Sequence, residues 1–291
     1  VLRKIYTTGY NEAAIFATLK ALKTLQTVIS NASEESEKHP KKPGEDSILE
    51  AKLKMMAYAD APALVIELVC SNTNAIVKEA LELGILLLID GNKIIQRNIF
   101  QILVCCPSEP FFMAIRDRIH LAIREIKKKR DFLKKRMLKL KALSDSNRET
   151  NLGELNNRDV GNIKSMQQQV LIAQQIHRSN LIDVHADPFG TDVSKILDGD
   201  SFEEVGYIKE ILRFLQLFCE GHFTEMQEFV NHQHTNNLSV NLVQESLQYI
   251  LALHSYLDGD TVETAIQCFD SLTEFIQGPC SINQQVLGLS P

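Results

Sequence analysis

Two glutamates stand where the sequence pattern brings a helix to its end. Glu220 follows an apolar helical stretch read as residues 202–219 and precedes Gly221. Glu274 lies in the last turn of a stretch read as 261–277, which Gly278 and Pro279 stop. A carboxylate at such a place faces the negative end of the helix macrodipole and its free carbonyls, an arrangement unfavourable by about 0.3–1 kcal/mol. A cation nearby reverses that sign. Carboxylates with carbonyls make the hard oxygen set that Ca2+ prefers, yet two ligands fall short of the roughly six to eight oxygens it takes. Water or another segment would have to supply the remainder. The competing reading is a pair of solvated glutamates, which often occupy helix ends with little consequence.

Other candidate chemistry is weaker. His232 and His234 form an H-x-H pair with His222 nearby, but no cysteine lies at a spacing that would complete a zinc site. Asp198-Gly199-Asp200 hints at a calcium loop, without the glycine and terminal glutamate an EF-hand requires. There is no Ser/His/Asp order, no Gly-rich phosphate loop and no H-E-x-x-H motif, so an enzyme is not expected. Residues 116–141 hold 12 basic and 3 acidic residues, against 3 basic and 17 acidic from Asn180 to the end. The net charge of −6 therefore hides a strong asymmetry. The basic stretch has few aromatic residues for base stacking. It reads as a solvated helix face docking on an acidic neighbour, and no nucleic acid is expected as a partner.

The elements that would carry these residues are helices. Gly and Pro number 13 and 8 in 291 residues, about 7% against a usual share near 12%, and turn-rich strand folds need more. Nearly every apolar segment has helical period. Helices are expected over residues 11–29, 47–59, 62–70, 75–89, 93–104, 111–143, 202–219, 224–231, 242–257 and 261–277, with a Gln-rich helix at 162–182. Residues 75–89 are apolar almost all round and must be covered on several sides, as in the middle layer of an α-solenoid. The fold class is all-α, an armadillo-like α-solenoid with long linkers. The expected organisation is a helical segment 1–32, a linker 33–46, armadillo-like repeats with a long basic helix over 47–144, a linker 145–201 holding the Gln-rich helix, and a C-terminal helical domain 202–291.

Six cysteines, none in a C-x-x-C pair and most within apolar helical patterns, read as buried thiols of a reducing compartment. Apolar runs fall far short of the ~20 residues of a membrane span. No signal peptide is visible, and the chain opens on Val1, so it is expected to be part of something longer.

Two long motifs carry a resemblance. Leu212-Arg213-Phe214-Leu215-Gln216-Leu217-Phe218-Cys219-Glu220-Gly221-His222 resembles a motif of the intracellular calcium-release channels. So does Ser271-Leu272-Thr273-Glu274-Phe275-Ile276-Gln277-Gly278-Pro279-Cys280, with Asn283-Gln284-Gln285 after it. That family comprises the inositol trisphosphate receptors and the ryanodine receptors. Met226-Gln227-Glu228-Phe229 and Asn241–Gln248 look more like the former, and the Cys-Glu-Gly-His and Ile-Gln-Gly-Pro-Cys wording more like the latter. Residues 63–126 are similar to the family's armadillo-like regulatory segment. The resemblance implies a cytoplasmic part of a homotetrameric channel of the endoplasmic reticulum membrane, including the receptor-homology-associated domain at 202–291, and coupling ligand state to the pore. It implies that Glu220 and Glu274 are ligands of an activating Ca2+ site, with His222 and Gln277 as supporting neighbours. The third ligand, a backbone carbonyl, would come from a C-terminal, pore-proximal domain that is absent from this chain. Strict up-down packing of the last helices would set the two glutamates on opposite sides, so helix 224–231 is expected to lie across the others. A generic armadillo-type interaction scaffold with no metal role is the alternative.

Overall fold

The computed structural model describes residues 12–39, 46–150, 207–254, 257, 259, 261–278 and 280–288. Among them are eleven α-helices and no strand: α1 (Glu12–Lys38), α2 (Ile48–Tyr58), α3 (Ala61–Val69), α4 (Asn74–Leu87), α5 (Lys93–Cys105), α6 (Glu109–Thr150), α7 (Ile208–Cys219), α8 (Thr224–Asn231), α9 (Leu242–His254), α10 (Val262–Ile276) and α11 (Ser281–Gly288). The chain is all-α and solenoid-like, as the helical periods of its apolar residues require. No single helix among the described residues is long and apolar enough to cross a membrane.

Local signals set the helix boundaries. Ser47 and Glu50 form a capping box that starts α2, and Pro62 sits in the first turn of α3. Beyond α4 a short 3-10 turn, Ile89–Gly91, takes the chain into left-handed backbone at Asp90 and ends the helical run. Asn92 then opens α5 by accepting the Ile94 and Ile95 amides on its side-chain oxygen, at 3.1 Å each.

The described parts of Val1–Ile123, Val205–Leu251 and Glu263–Pro291 form one compact unit. Its centre is α4, which buries Ile76, Val77, Ala80, Leu81, Leu83 and Leu87. It is covered by α1, α3 and α7, the several-sided burial that its all-round apolarity demands. α4 and α7 approach closely at Gly84, where a Cβ would lie 2.4 Å from the ring of the fully buried Phe214. An aromatic cluster extends this contact. Phe214 meets Phe218 at 4.6 Å, Phe218 stacks on Phe111 at 6.2 Å, and Phe112 and Phe100 each meet Phe229 at 5.7 Å. Arg118 and Tyr207 tie the polar edge of the same core, the guanidinium donating to Ser71 O at 2.6 Å and the phenol to Asn74 Oδ1 at 2.8 Å.

The described parts of Arg124–Glu204 and Ala252–Val262 form a second unit. Its described part includes the basic end of α6, where Lys127, Lys128, Arg130, Lys134 and Lys135 are exposed and Ile126 is buried. The exposed cations make the solvated face that the pattern of 116–141 predicts. Lys128 pairs with Glu125 one turn earlier at 2.6 Å.

Several boundaries differ from the sequence-based expectation. Residues 33–38, read as the start of a linker, continue α1 to Lys38. The stretch is polar, but Glu and Lys are good helix formers and nothing breaks the helix before Pro40. Ser36 on this extension accepts the Leu49 amide at 2.8 Å, which pins it to the start of α2. Likewise α6 runs to Thr150, into the expected linker 145–201, because no Gly or Pro intervenes before Gly153. The Gln-rich helix expected at 162–182 lies outside the described residues. α11 was not expected at all, since Gly278 and Pro279 read as a final stop. Three cysteines (Cys219, Cys268 and Cys280) are buried, whereas Cys105 and Cys106, at the end of α5, are exposed.

Candidate functional site

α7 is strongly amphipathic, and every residue from Phe214 to Cys219 is buried. Its end is abrupt. Glu220 leaves helical geometry (φ −54°, ψ 137°), and Gly221 and His222 follow at φ 73° and 61°. The last carbonyls of α7 are not left to water. Gln96 on α5, fully buried, donates its amide to Leu217 O at 2.8 Å and to Glu220 O at 2.9 Å. The Lys93 ammonium donates to Glu220 O at 3.2 Å and to Gly221 O at 3.0 Å. The Glu220 side chain lies along Gly91, so close that a Cβ there would stand 3.3 Å from Glu220 Cγ.

The end of α10 repeats the device with different residues. Gln227 on α8, fully buried, donates its amide to Glu274 O at 2.6 Å and to Gln277 O at 2.9 Å. Asn283 on α11, also fully buried, donates to Gln227 O and Phe275 O at 2.8 Å each, and Asn231 donates to Asn283 Oδ1 at 2.7 Å. In both cases one buried glutamine amide bridges two carbonyls three residues apart at the end of a glutamate-bearing helix. These are groups that a helix C-terminus leaves without an intrahelical partner.

The two ends adjoin. Gly278, directly after Gln277, is left-handed (φ 69°), and a Cβ on it would fall 2.7 Å from Cγ and Nδ1 of His222. The His222 ring therefore rests on the turn that closes α10, and all four residues singled out from sequence, Glu220, His222, Glu274 and Gln277, come into one neighbourhood. The short helix α8 makes this possible by packing on α7 and α11 while its Gln227 reaches the end of α10.

The electrostatic strain shows at Glu274. Burial pushes the Glu274 carboxyl above its ordinary range; the Glu220 charge adds to this, and His222 and Arg213 act against it. Burial, reinforced by the Glu274 charge, raises the Cys219 thiol as well. One oxygen of each glutamate, Glu220 Oε2 and Glu274 Oε2, is buried without a hydrogen-bond partner among the described residues. A buried carboxylate oxygen left unpaired is costly, and a cation is the partner that would relieve it. The donor chemistry thus fits a hard divalent ion, with the carboxylates as its anionic ligands. Two carboxylates are not a complete cage: among the described residues no cluster of three or more His, Cys, Asp or Glu is placed to hold a metal. His232 and His234 are exposed, and the His234 ring sits edge-on to Phe229 at 5.7 Å.

Sequence reasoning missed Gln96, Gln227 and Lys93. Each glutamine interrupts an otherwise apolar helix face, beside Ile95 and Ile99 in one case and Met226 and Phe229 in the other. That interruption is the one signal that could have found them.

Residues 202–290 match the family described as RyR and IP3R Homology associated. Over 96 residues the chain is 32% identical to the inositol 1,4,5-trisphosphate receptor itr-1 of Caenorhabditis elegans, a match that covers 30% of this chain and 3% of that receptor. Over this C-terminal region, which holds both glutamates and both left-handed turns, the chain is similar to the inositol trisphosphate and ryanodine receptor family.

Proposed function

We propose that the chain is a regulatory segment of an intracellular Ca2+-release channel, a homotetramer of the endoplasmic reticulum membrane, with this part on the cytoplasmic side. In this reading it has no catalytic role. It couples the solenoid to the pore by supplying Glu220 and Glu274 to an activating Ca2+ site. The third ligand, a backbone carbonyl, comes from a pore-proximal domain outside these 291 residues. The observation that carries the proposal is the pair of buried, partnerless Oε2 atoms on two adjoining helix ends. When bound, Ca2+ supplies the positive charge that two mutually repelling carboxylates lack. The chain's own residues do the positioning. Gln96 and Gln227 fix the two helix ends by their carbonyls, and His222 packs one turn on the other.

The test is the Ca2+ dependence of the full-length channel. Glu220→Gln and Glu274→Gln should each move activation to higher Ca2+ by about tenfold or more, since affinity follows the charge of the ligand set. Glu225→Gln, which removes an exposed glutamate of the same region, should leave the curve in place. Single-channel recordings in which both site variants activate like the parent refute the proposal. The second reading, an interaction scaffold without a metal, draws on the row Val262, Ile266 and Phe269, which α10 leaves 38%, 56% and 58% exposed. In that case substitutions in this row, and not at the glutamates, would alter channel behaviour.

A further inference from the structure

Lys93 stands in the first turn of α5, where its charge opposes that helix's own dipole. The ammonium crosses instead to the end of α7, 127 residues further along the chain, and binds the Glu220 and Gly221 carbonyls at 3.2 and 3.0 Å. The seat is built for it. Asn92 fixes the start of α5 through two backbone amides. Gly221 leaves the space the ammonium fills, since a Cβ there would lie 2.4 Å from Lys93 Nζ. Gln96, three residues after Lys93, donates to the same Glu220 carbonyl at 2.9 Å. Glu220 therefore has its carbonyl doubly bonded to donors on α5, while its carboxylate Oε2 stays buried without a partner. The cation at this helix end is matched to backbone oxygens, which leaves the carboxylate for another charge.

The geometry points to Lys93 as a tethered counter-cation that sets the divalent-ion affinity of the glutamate pair, an inference that rests on the reading of Glu220 and Glu274 as Ca2+ ligands. Without Ca2+, the ammonium neutralises the negative end of α7 and holds the turn at Gly221. With Ca2+, it is a like charge beside the site, so the pair binds more weakly than its carboxylates alone would. Lys93 is here a positioning and affinity-setting residue, not a ligand.

The 291-residue chain tests this through Lys93→Met, which keeps most of the stem and removes the charge, and Lys93→Arg, which restores it. Calorimetric titration with Ca2+ should give a dissociation constant about three- to tenfold lower for Lys93→Met than for the parent, the order expected for one screened like charge at the rim of a hydrated site. Lys93→Arg should return it toward the parent value. In EDTA, Lys93→Met should melt below the parent and Lys93→Arg close to it. Equal or weaker Ca2+ binding by Lys93→Met overturns the affinity role, and an unchanged melting temperature in EDTA overturns the holding role. Glu220→Gln in the parent and Lys93→Met backgrounds separates this from the underlying reading. If Ca2+ binding survives Glu220→Gln, the glutamate site is wrong. If Glu220→Gln abolishes binding while Lys93→Met leaves it unchanged, only the role of Lys93 is wrong. Binding by neither parent nor Lys93→Met overturns the affinity role, and the EDTA melts then judge the holding role independently.

Discussion

Glu274 concentrates the electrostatic conflict in one side chain. Its carboxyl is held above the ordinary value of 4.5 by burial and by the Glu220 charge. A raised carboxyl pKa means that the folded chain holds this proton more tightly than the unfolded chain does. The contribution to stability is fully present below pH 4.5 and is lost as pH rises through the raised value. At neutral pH the ionised Glu274 carboxylate works against the fold unless a cation is present. In EDTA at pH 7, Glu274→Gln should therefore melt above the parent, with the gain shrinking as pH falls toward 4.5. Differential scanning calorimetry at stepped pH reads this directly, and a variant that melts below the parent at pH 7 would overturn the account. In saturating Ca2+ the ordering should reverse, because only the parent keeps both anionic ligands.

At the scale of elements, the two helix ends are held by amides rather than by their own sequence. Removing the Gln227 amide leaves Glu274 O and Gln277 O without that donor at a buried helix terminus. Gln227→Met keeps side-chain length and should cost about 1–3 kcal/mol, the penalty of orphaned buried polar groups, read as a lower midpoint in urea. This device explains where sequence reasoning succeeded and where it stopped. α3, α4, α8 and α10 were legible because apolar period and Gly stops are local. Glu220 and Glu274 were legible as oddities because a helix end and its charge can be read within one turn. The amide from Gln96 was not, because its partners lie 121 and 124 residues away, and a lone Gln on an Ile-rich face reads only as an interruption. α11 escaped because Gly278 and Pro279 end one helix without forbidding another, and its eight residues bury a single side chain, Asn283. The polar end of α1 escaped because the pattern argument equates polarity with linkers, whereas Glu and Lys propagate helices well.

At the scale of the whole molecule, one unit is assembled from stretches far apart in sequence: the described parts of Val1–Ile123 pack with those of Val205–Leu251 and Glu263–Pro291. Phe214 and Phe218 of α7 are fully buried, Phe214 against Gly84 of α4 and Phe218 against Phe111 of α6. Residues 202–291 produced alone would expose both rings, each worth about 3–5 kcal/mol when its core contacts are lost. That fragment should aggregate or lose helicity, and co-expression with residues 1–150 should restore a soluble complex of the two. Size-exclusion chromatography with circular dichroism decides it, and a monomeric, fully helical 202–291 would contradict the shared core. The same geometry has a consequence in time. Gln96 leaves the ribosome 124 residues before Glu220, the backbone group that it binds. At about 5–20 residues per second that is a wait of roughly 6–25 s. For that interval α4 has no α7 to cover the face at Gly84, and the Gln96 amide has no carbonyl to meet. A nascent chain in this state presents a bare apolar face, so its yield in cells depends on whatever shields that face until α7 has been made.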